Sequence, residues 1–320
     1  MSIIEKAVDR LGKNRVDAAE NAAVSINTAQ VADTDTLLGR EQAAALYVDE
    51  ILTAPTAPAT LYVATPASAE APPAALRQNT GKQVEINLER LAAKNMITSD
   101  GGRNPVAEEF RVIKRPLIEK AFSANGRTVN RNNLIMVTSA LPGEGKTFSA
   151  INLAISIAME LDHTVLLVDA DVARPSVLRT LGLKSEAGLM DVLLDQKLDI
   201  ADVLLKTNID TLSILPAGKS HRHATELLAS QTMSSLLDEI ASRYPDRIVI
   251  FDSPPLLLTS EARVLASQMG QIVVVVEAET TTMHAVKSAL SQIEACANVN
   301  LVYNKARDFP GQEDYGYYYN

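Results

Sequence analysis

Residues 139–147 have the types and spacing of a loop that binds phosphate. They read Ser-Ala-Leu-Pro-Gly-Glu-Gly-Lys-Thr, after the apolar run Leu-Ile-Met-Val at 134–137 and before a helical pattern. Lys146 can place a positive charge on the β- and γ-phosphates, and Thr147 can offer a hydroxyl to Mg²⁺. The usual first glycine is Ala140 here, so a chance Gly-Lys-Thr in an ordinary turn is the alternative. The residues predicted to bind the nucleotide are Pro142, Gly143, Glu144, Gly145, Lys146, Thr147 and Phe148.

Aspartates follow two apolar runs further along the chain. Asp169 and Asp171 come directly after one run, and Asp252 follows another. A single aspartate at a strand end is often only a helix cap or a turn former. Three of them after a Gly-Lys-Thr loop favour a site for Mg²⁺ and a nucleoside triphosphate. Because Mg²⁺ takes only one or two carboxylates, one carboxylate remains to accept a proton.

Apolar runs alternate with helical patterns from residue 133 onward. The β-branched run at 272–276 is typical of a strand covered on both faces. Strand–helix alternation predicts an α/β fold of the P-loop NTPase type, with a doubly wound, mostly parallel sheet flanked by helices and ligands at the carboxyl ends of the strands. The predicted strands are 134–138, 165–168, 212–215, 248–251, 272–276 and 301–303, and the predicted helices are 147–161, 176–181, 225–243, 261–269 and 282–297.

The first 83 residues differ in composition from the remainder. Residues 2–11 carry a capping box and helical apolar spacing, which predicts a short amphipathic helix, either a frayed end or a peptide that docks on a partner. The Ala, Thr, Pro and Asp residues that follow predict a largely disordered linker. The predicted divisions are the amphipathic helix 1–12, the linker 13–83, a helical lead-in 84–130, the nucleotide-binding domain 131–307 and a flexible tail 308–320.

Overall composition excludes several classes of protein. A net charge of −9 argues against a surface that binds nucleic acid. The only cysteine, Cys296, excludes a disulfide framework and a paired-cysteine metal site. The uncharged stretch 51–69 contains three prolines, so it is not expected to span a membrane, and no signal peptide is visible. We therefore expect a soluble, cytoplasmic protein.

Tyrosines are concentrated in the last six residues of the sequence, which hold four of the eight. The surrounding segment has no apolar periodicity and is not expected to fold alone. One interpretation is a tail that binds a partner through its aromatic rings. The other is a set of phenols that accept phosphoryl groups, and these predicted acceptors are Tyr315, Tyr317, Tyr318 and Tyr319.

A charged helix is predicted shortly after Pro105. Glu108, Arg111 and Lys114 lie at three-residue spacing, with Phe110 offset from them. From these residues alone, a solvated face with weak intrahelical ion pairs is the favoured interpretation.

The region from about residue 84 onward resembles the bacterial P-loop tyrosine kinases, and most of all the exosortase-associated tyrosine autokinases. The matching motifs are residues 139–147 as Walker A, 168–171 as Walker A′, 250–255 as Walker B, and the tyrosine tail. Ala173 departs from the pattern, because the family usually has arginine there. The resemblance implies exopolysaccharide regulation, with a separate membrane-embedded chain-length regulator as activator and a tyrosine phosphatase. It also implies recruitment to the inner face of the plasma membrane by a partner.

The resemblance also implies that Glu108, Arg111 and Lys114 are contacts of a homo-oligomer, possibly a ring, with Lys114 replacing the usual arginine. We expect one subunit's tail to accept the γ-phosphoryl group of ATP in a neighbour's site. The residues implied in catalysis are Lys146, Asp169, Asp171 and Asp252, with Asp169 preferred as the base, and those implied in Mg²⁺ binding are Thr147, Asp171 and Asp252.

A nucleotide-gated switch of the Min or ParA type is the alternative function. Those ATPases carry a second lysine early in the phosphate loop, and the equivalent position here is Leu141. Hydrolysis of ATP without phosphotyrosine would favour this alternative.

Overall fold

Apolar runs of the sequence form the central strands of one eight-stranded sheet. The structure is a computed structural model that describes residues 82–99, 105–122, 131–195, 197–244 and 246–306. The predicted N-terminal helix, nearly all of the linker and the tyrosine tail lie outside these residues. The strands are β1 Lys82–Gln83, β2 Leu134–Ser139, β3 Thr164–Asp169, β4 Leu205–Lys206, β5 Leu212–Leu215, β6 Arg247–Asp252, β7 Gln271–Glu277 and β8 Val299–Asn304.

Strand order in the sheet is β1-β4-β5-β3-β6-β2-β7-β8. Every adjacent pair is parallel except β4 and β5. The strand β2 that leads into the phosphate loop is therefore central, between β6 and β7. In the register of β3 with β6, Asp169 pairs with Asp252, which brings two of the predicted site residues to the same edge of the sheet.

Helices cover both faces of the sheet. Alternate residues of β2 enter opposite cores, with Ile135 in one and Met136 in the other, and this explains why the strand has no polar face. The helices are α1 Leu88–Ala92, α2 Pro105–Ala121, α3 Lys146–Ala158, α4 Val177–Leu181, α5 Leu189–Leu194, α6 Ile200–Val203, α7 Ala224–Leu228, α8 Gln231–Arg243, α9 Ser260–Ala266 and α10 Met283–Ser291.

The predicted fold class and all six predicted strands are confirmed, and most strand ends move by one or two residues. The prediction of a single helix over 225–243 is wrong. The helix is interrupted at Ala229, and the Ser230 side chain caps α8 by accepting a hydrogen bond from the N–H of Met233. Helices α5 and α6 and the short strand β4 were not predicted. The linker predicted to end at 83 is also too long, because Lys82 and Gln83 pair with β4.

Lys114 does not belong to an exposed charged face, and this part of the prediction is wrong. It is 5% exposed, and its Nζ donates to the carbonyl of Ser156 at 2.6 Å and pairs with Glu160 at 2.7 Å. The lysine therefore joins α2 to the end of α3 within the chain. Its neighbours Glu108 and Arg111 are exposed and pair with each other. Among the helices that the structure describes, none is both long and apolar enough to cross a membrane.

Candidate active site

The phosphate loop connects the end of β2 to the start of α3. Gly143 has φ of +89° and Gly145 has φ of +99°. Residues with a Cβ rarely adopt such positive φ values. A Cβ on Gly145 would also lie 1.9 Å from Nδ2 of Asn304, so a side chain at this position would have to displace that amide as well as adopt a strained φ. Ala140 is fully buried and is not among the residues with positive φ, which explains why alanine is tolerated at this position.

Residues at and just after the end of β8 donate hydrogen bonds to this loop. Asn304 donates through Nδ2 to the carbonyl of Glu144 at 2.8 Å, and Lys305 donates through Nζ to the carbonyl of Gly143 at 2.9 Å. The Glu144 side chain is 2% exposed and accepts from the N–H of Leu141 at 2.6 Å. The side chain of Glu144 therefore stabilises the loop from within, so any contact with a nucleotide falls to its backbone.

Lys146 and Thr147 begin α3 and contact the strand-end aspartates. The Nζ of Lys146 lies 2.8 Å from Oδ2 of Asp171 and 3.8 Å from Oδ1 of Asp252. The hydroxyl of Thr147 donates to Oδ2 of Asp252 at 2.7 Å. Four residues that the sequence analysis singled out thus form one connected cluster.

Asp169 has a different set of contacts. Its Oδ2 accepts from the N–H groups of Ser176 at 3.0 Å and Val177 at 2.9 Å, so this carboxylate anchors the loop that leads into α4. Its Oδ1 is buried and has no hydrogen-bond partner among the described residues. Asp169 also lines a cavity of about 140 Å³ shared with Pro175 and Arg179.

Ser176 is a site residue that the sequence analysis missed. Its hydroxyl lies 2.7 Å from that of Thr147 and 3.4 Å from Oδ2 of Asp252. The sequence pattern predicts only that a helix starts at Ser176. The residue is the N-cap of α4, but its side chain makes no capping bond. The signal available was its position seven residues after Asp169, within the loop that follows the second strand-end motif.

Burial and crowding of negative charge shift the ionisation of the cluster. Burial first, and then the charge of Asp252, raises the pKa of Asp169 to about 7, although two backbone N–H groups act in the opposite direction. Burial raises the pKa of Asp252 to about 6, against the opposing effects of Lys146 and Thr147. Burial lowers the pKa of Lys146, but the carboxylates outweigh it and the net shift is upward. The cluster is therefore short of positive charge.

A divalent cation fits this cluster. The Oδ1 atoms of Asp169 and Asp252 are both buried without a hydrogen-bond partner among the described residues, and the pKa of each carboxyl is raised by burial. The described residues contain no group of three or more carboxylate, histidine or cysteine side chains arranged to enclose a metal ion. Mg²⁺ usually keeps waters and takes few ligands from the protein. Thr147 and Asp252 are the nearest candidates to hold it, with Asp171 beside them.

An open cleft of about 540 Å³ lies next to the cluster. Lys146 and Asp171 lie at its base, and its walls come from the phosphate loop, the loop before α4 and the loop after β6. The lining residues are Pro142, Gly143, Lys146, Asp171, Ala173, Arg174, Ser176, Arg179, Pro254, Pro255, Leu258 and Thr259. Glu108 and Arg111 on α2 are not part of this site.

The sheet is mostly parallel, a glycine-containing loop connects β2 to α3, and aspartates lie at the ends of β3 and β6. These features together define a P-loop nucleotide-binding protein. The AAA domain family matches residues 132–305, which include this whole site. The chain therefore belongs to the AAA domain family.

Tyrosine-protein kinase YwqD of Bacillus subtilis is 29% identical over 245 residues, which cover 76% of this chain and 96% of YwqD. Tyrosine-protein kinase Wzc of Salmonella typhimurium is 30% identical over 194 residues, which cover 59% of this chain and 26% of Wzc. This chain therefore spans nearly all of the first relative and about a quarter of the second. The crystal structure of the chimerical protein CapA2B2 aligns with a TM-score of 0.56 and 25% identity, covering 71% of this chain and 94% of that one.

Proposed function

We propose that this protein transfers the γ-phosphoryl group of ATP to tyrosines of its own C-terminal segment, between subunits. The observation that carries the proposal is the cluster of Lys146, Thr147 and the strand-end aspartates beside an open cleft. Relatives named tyrosine-protein kinases over most of this chain's length support the same reaction.

Each residue of the cluster has a chemical role in this proposal. The backbone of Pro142, Gly143, Glu144 and Gly145, with the N-terminus of α3 at Lys146 and Phe148, binds the phosphates. Lys146 moves from Asp171 toward the β- and γ-phosphates and stabilises the negative charge that develops there. Thr147, Asp252 and Asp171 would hold Mg²⁺, which would neutralise charge on the phosphate oxygens.

Asp169 is proposed as the general base. The phenol of the acceptor gives its proton to the carboxylate of Asp169, and the phenol oxygen forms a bond to the γ-phosphorus. The bond from that phosphorus to the bridging oxygen breaks, and ADP leaves with the electron pair. A tyrosine with a pKa near 10 is mostly neutral at pH 7, so a nearby carboxylate makes this transfer faster. The second oxygen of Asp169 remains bonded to the α4 loop and keeps the carboxylate oriented.

The proposed acceptors, Tyr315, Tyr317, Tyr318 and Tyr319, lie outside the described residues. Glu108 and Arg111 remain proposed contacts of a homo-oligomer, because they are exposed on α2. Lys114 is removed from that set, because its ammonium is used within the chain.

The wider setting is also a proposal. A membrane-embedded regulator of polysaccharide chain length would activate the kinase, and a tyrosine phosphatase would reverse it, on the inner face of the plasma membrane. The net charge of −9 disfavours nucleic acid as a partner. Each phosphate adds about −1.5 to −2 charges to the tail, which would repel phosphorylated tails from the acidic strand ends.

The test mixes two variants of the purified chain with Mg-ATP. One is Lys146→Met, which keeps its tyrosines but lacks the phosphate-binding lysine, and the other has the four tail tyrosines changed to phenylalanine. We expect phosphotyrosine on the Lys146→Met chain only when the second variant is present, detected by mass spectrometry of the C-terminal peptide. ATP hydrolysis by the wild type without any phosphotyrosine would refute the proposal and favour a nucleotide-gated switch.

A further inference from the structure

Two arginines line the cleft without an ion-pair partner. Arg174 and Arg179 are both exposed, and neither guanidinium forms an ion pair or hydrogen bond with the residues that the structure describes. Both are close to the reacting groups along the chain. The N–H of Arg174 donates to Oδ1 of Asp171 at 3.1 Å, and Arg179 is one turn of α4 beyond Ser176. The cleft therefore presents two positive charges next to the phosphate loop.

The loop after β6 supplies apolar residues to the lining of the cleft. Pro254 and Pro255 line it, and Leu258 is 61% exposed there. Pro254 and Pro255 are themselves buried, so the exposed Leu258 is the side chain against which an aromatic ring would pack. A cleft lined by both apolar and cationic residues suits a peptide that carries a tyrosine next to acidic residues.

The tail of this chain has that composition at one position. Glu313 and Asp314 directly precede Tyr315, whereas Tyr317 is preceded by glycine and the last two tyrosines are preceded by tyrosine. Adjacent residues of an extended chain are about 3.3–3.6 Å apart, so both carboxylates stay within one short peptide length of the Tyr315 phenol. Arginine is well suited to such contacts, because its guanidinium binds carboxylates through two parallel hydrogen bonds.

We propose that Arg174 and Arg179 bind the carboxylates of Glu313 and Asp314 in the tail of a second copy of this chain, so that Tyr315 is the first tyrosine to be phosphorylated. The inference rests on the proposed kinase function. It adds that the cleft prefers a tyrosine that directly follows acidic residues. The chemical step is unchanged: the Tyr315 oxygen takes the γ-phosphoryl group, its proton passes to Asp169, and ADP is released.

The experiment uses the full chain with its four tail tyrosines changed to phenylalanine, so that only an added peptide can accept phosphate. The two peptides are residues 310–320 in natural sequence and the same peptide with Glu313→Gln and Asp314→Asn. We expect kcat/KM to be about tenfold higher for the natural peptide, since each exposed arginine–carboxylate pair contributes about threefold. Early time points should show phosphate on Tyr315 of the natural peptide.

The same comparison is made with Arg174→Gln and Arg179→Gln added together. The tenfold preference should fall to about onefold. The matched control is Lys197→Gln with Lys287→Gln, which removes two exposed positive charges that do not line the cleft. This control should keep the preference. High salt should weaken the preference in the enzyme that retains both arginines, because exposed pairs are screened.

Three results would overturn the inference. Equal kcat/KM for both peptides before the arginines are changed shows that the cleft does not select acidic residues. A preference that survives the arginine changes shows that other residues select them. A raised KM for ATP with an unchanged peptide preference shows that the arginines bind the nucleotide. Failure of the proposed function looks different, since then neither peptide is phosphorylated and the wild type forms no phosphotyrosine.

Discussion

Burial of Asp169 makes the stability of the nucleotide-free protein depend on pH. The pKa of this carboxyl is raised from 3.8 to about 7, chiefly by burial and then by Asp252. The folded state therefore binds the proton more tightly than the unfolded state does. This contribution to stability is fully present below the unfolded pKa and is lost as the pH rises through the folded pKa. The window of loss thus runs from about pH 4 to about pH 7.

The size of the effect follows from these two pKa values. Near pH 5 the folded carboxyl is almost fully protonated and the unfolded one is almost fully ionised. The linkage relation gives a difference in unfolding free energy on the order of 2 to 3 kcal/mol between about pH 5 and about pH 8 from Asp169 alone. Asp252, with its pKa raised to about 6, contributes in the same direction. We expect Asp169→Asn to remove most of the Asp169 share.

The measurement is urea denaturation of wild type and Asp169→Asn at several pH values, without nucleotide or metal. Circular dichroism is the suitable signal, because the chain contains no tryptophan. Asparagine keeps an acceptor oxygen for the N–H groups of Ser176 and Val177, so the loop before α4 retains its anchor. The free energy of unfolding of wild type, relative to the variant, should fall as pH rises.

The control variant is Asp210→Asn, which changes an exposed aspartate on the surface. Its pH dependence should follow that of wild type. The reasoning is refuted if wild type and Asp169→Asn give parallel curves between about pH 5 and about pH 8, since linkage then assigns no raised pKa to this carboxyl.

Three further substitutions test the site and its support. Gly145→Ala should weaken nucleotide binding at least about tenfold in equilibrium dialysis, because alanine is strained at this positive φ and its Cβ would contact Asn304. Adding Asn304→Ala removes the contact but not the strain, so it should restore only part of the binding. Lys114→Met should lower the free energy of unfolding by about 1–3 kcal/mol in urea, whereas Arg111→Met should change it by less than about 0.5. Ser176→Ala should raise KM for Mg-ATP about fivefold in a phosphotyrosine assay, the loss of about one hydrogen bond; an unchanged KM would show that its hydroxyl does not position Thr147.

The parallel core of this fold could be predicted because its signal is local and strong. Runs of apolar, mostly β-branched residues form β2, β3, β6 and β7, and each is long enough to identify alone. The missed elements are short. Strand β4 has two residues, and β1 pairs with it from more than 100 positions earlier in the chain, a contact that no local pattern encodes.

The error at Lys114 has a physical explanation in the same terms. Spacing of three residues placed it with Glu108 and Arg111, but spacing of four and three also places it between Phe110 and Leu117, which are buried on α2. A lysine on that stripe can remain buried when its ammonium finds acceptors. Here it contacts a carbonyl of the neighbouring helix α3 and the carboxylate of Glu160, just after the end of that helix. The apolar stripe, rather than the charges, was the stronger signal.

The positions of the strand-end aspartates could be predicted from the sequence, but the separate role of each aspartate could not. Parallel topology brings Asp169, Asp171 and Asp252 to one edge whatever the loops do, whereas the path of the loop before α4 decides where Ser176 and Arg179 lie. Asp169 fixes that path through two backbone N–H groups, so the proposed base is also a structural anchor. Loss of activity in Asp169→Asn therefore identifies a base only if the acidic limb of the pH–rate profile is lost with it, and if the binding of Mg-ATP is kept.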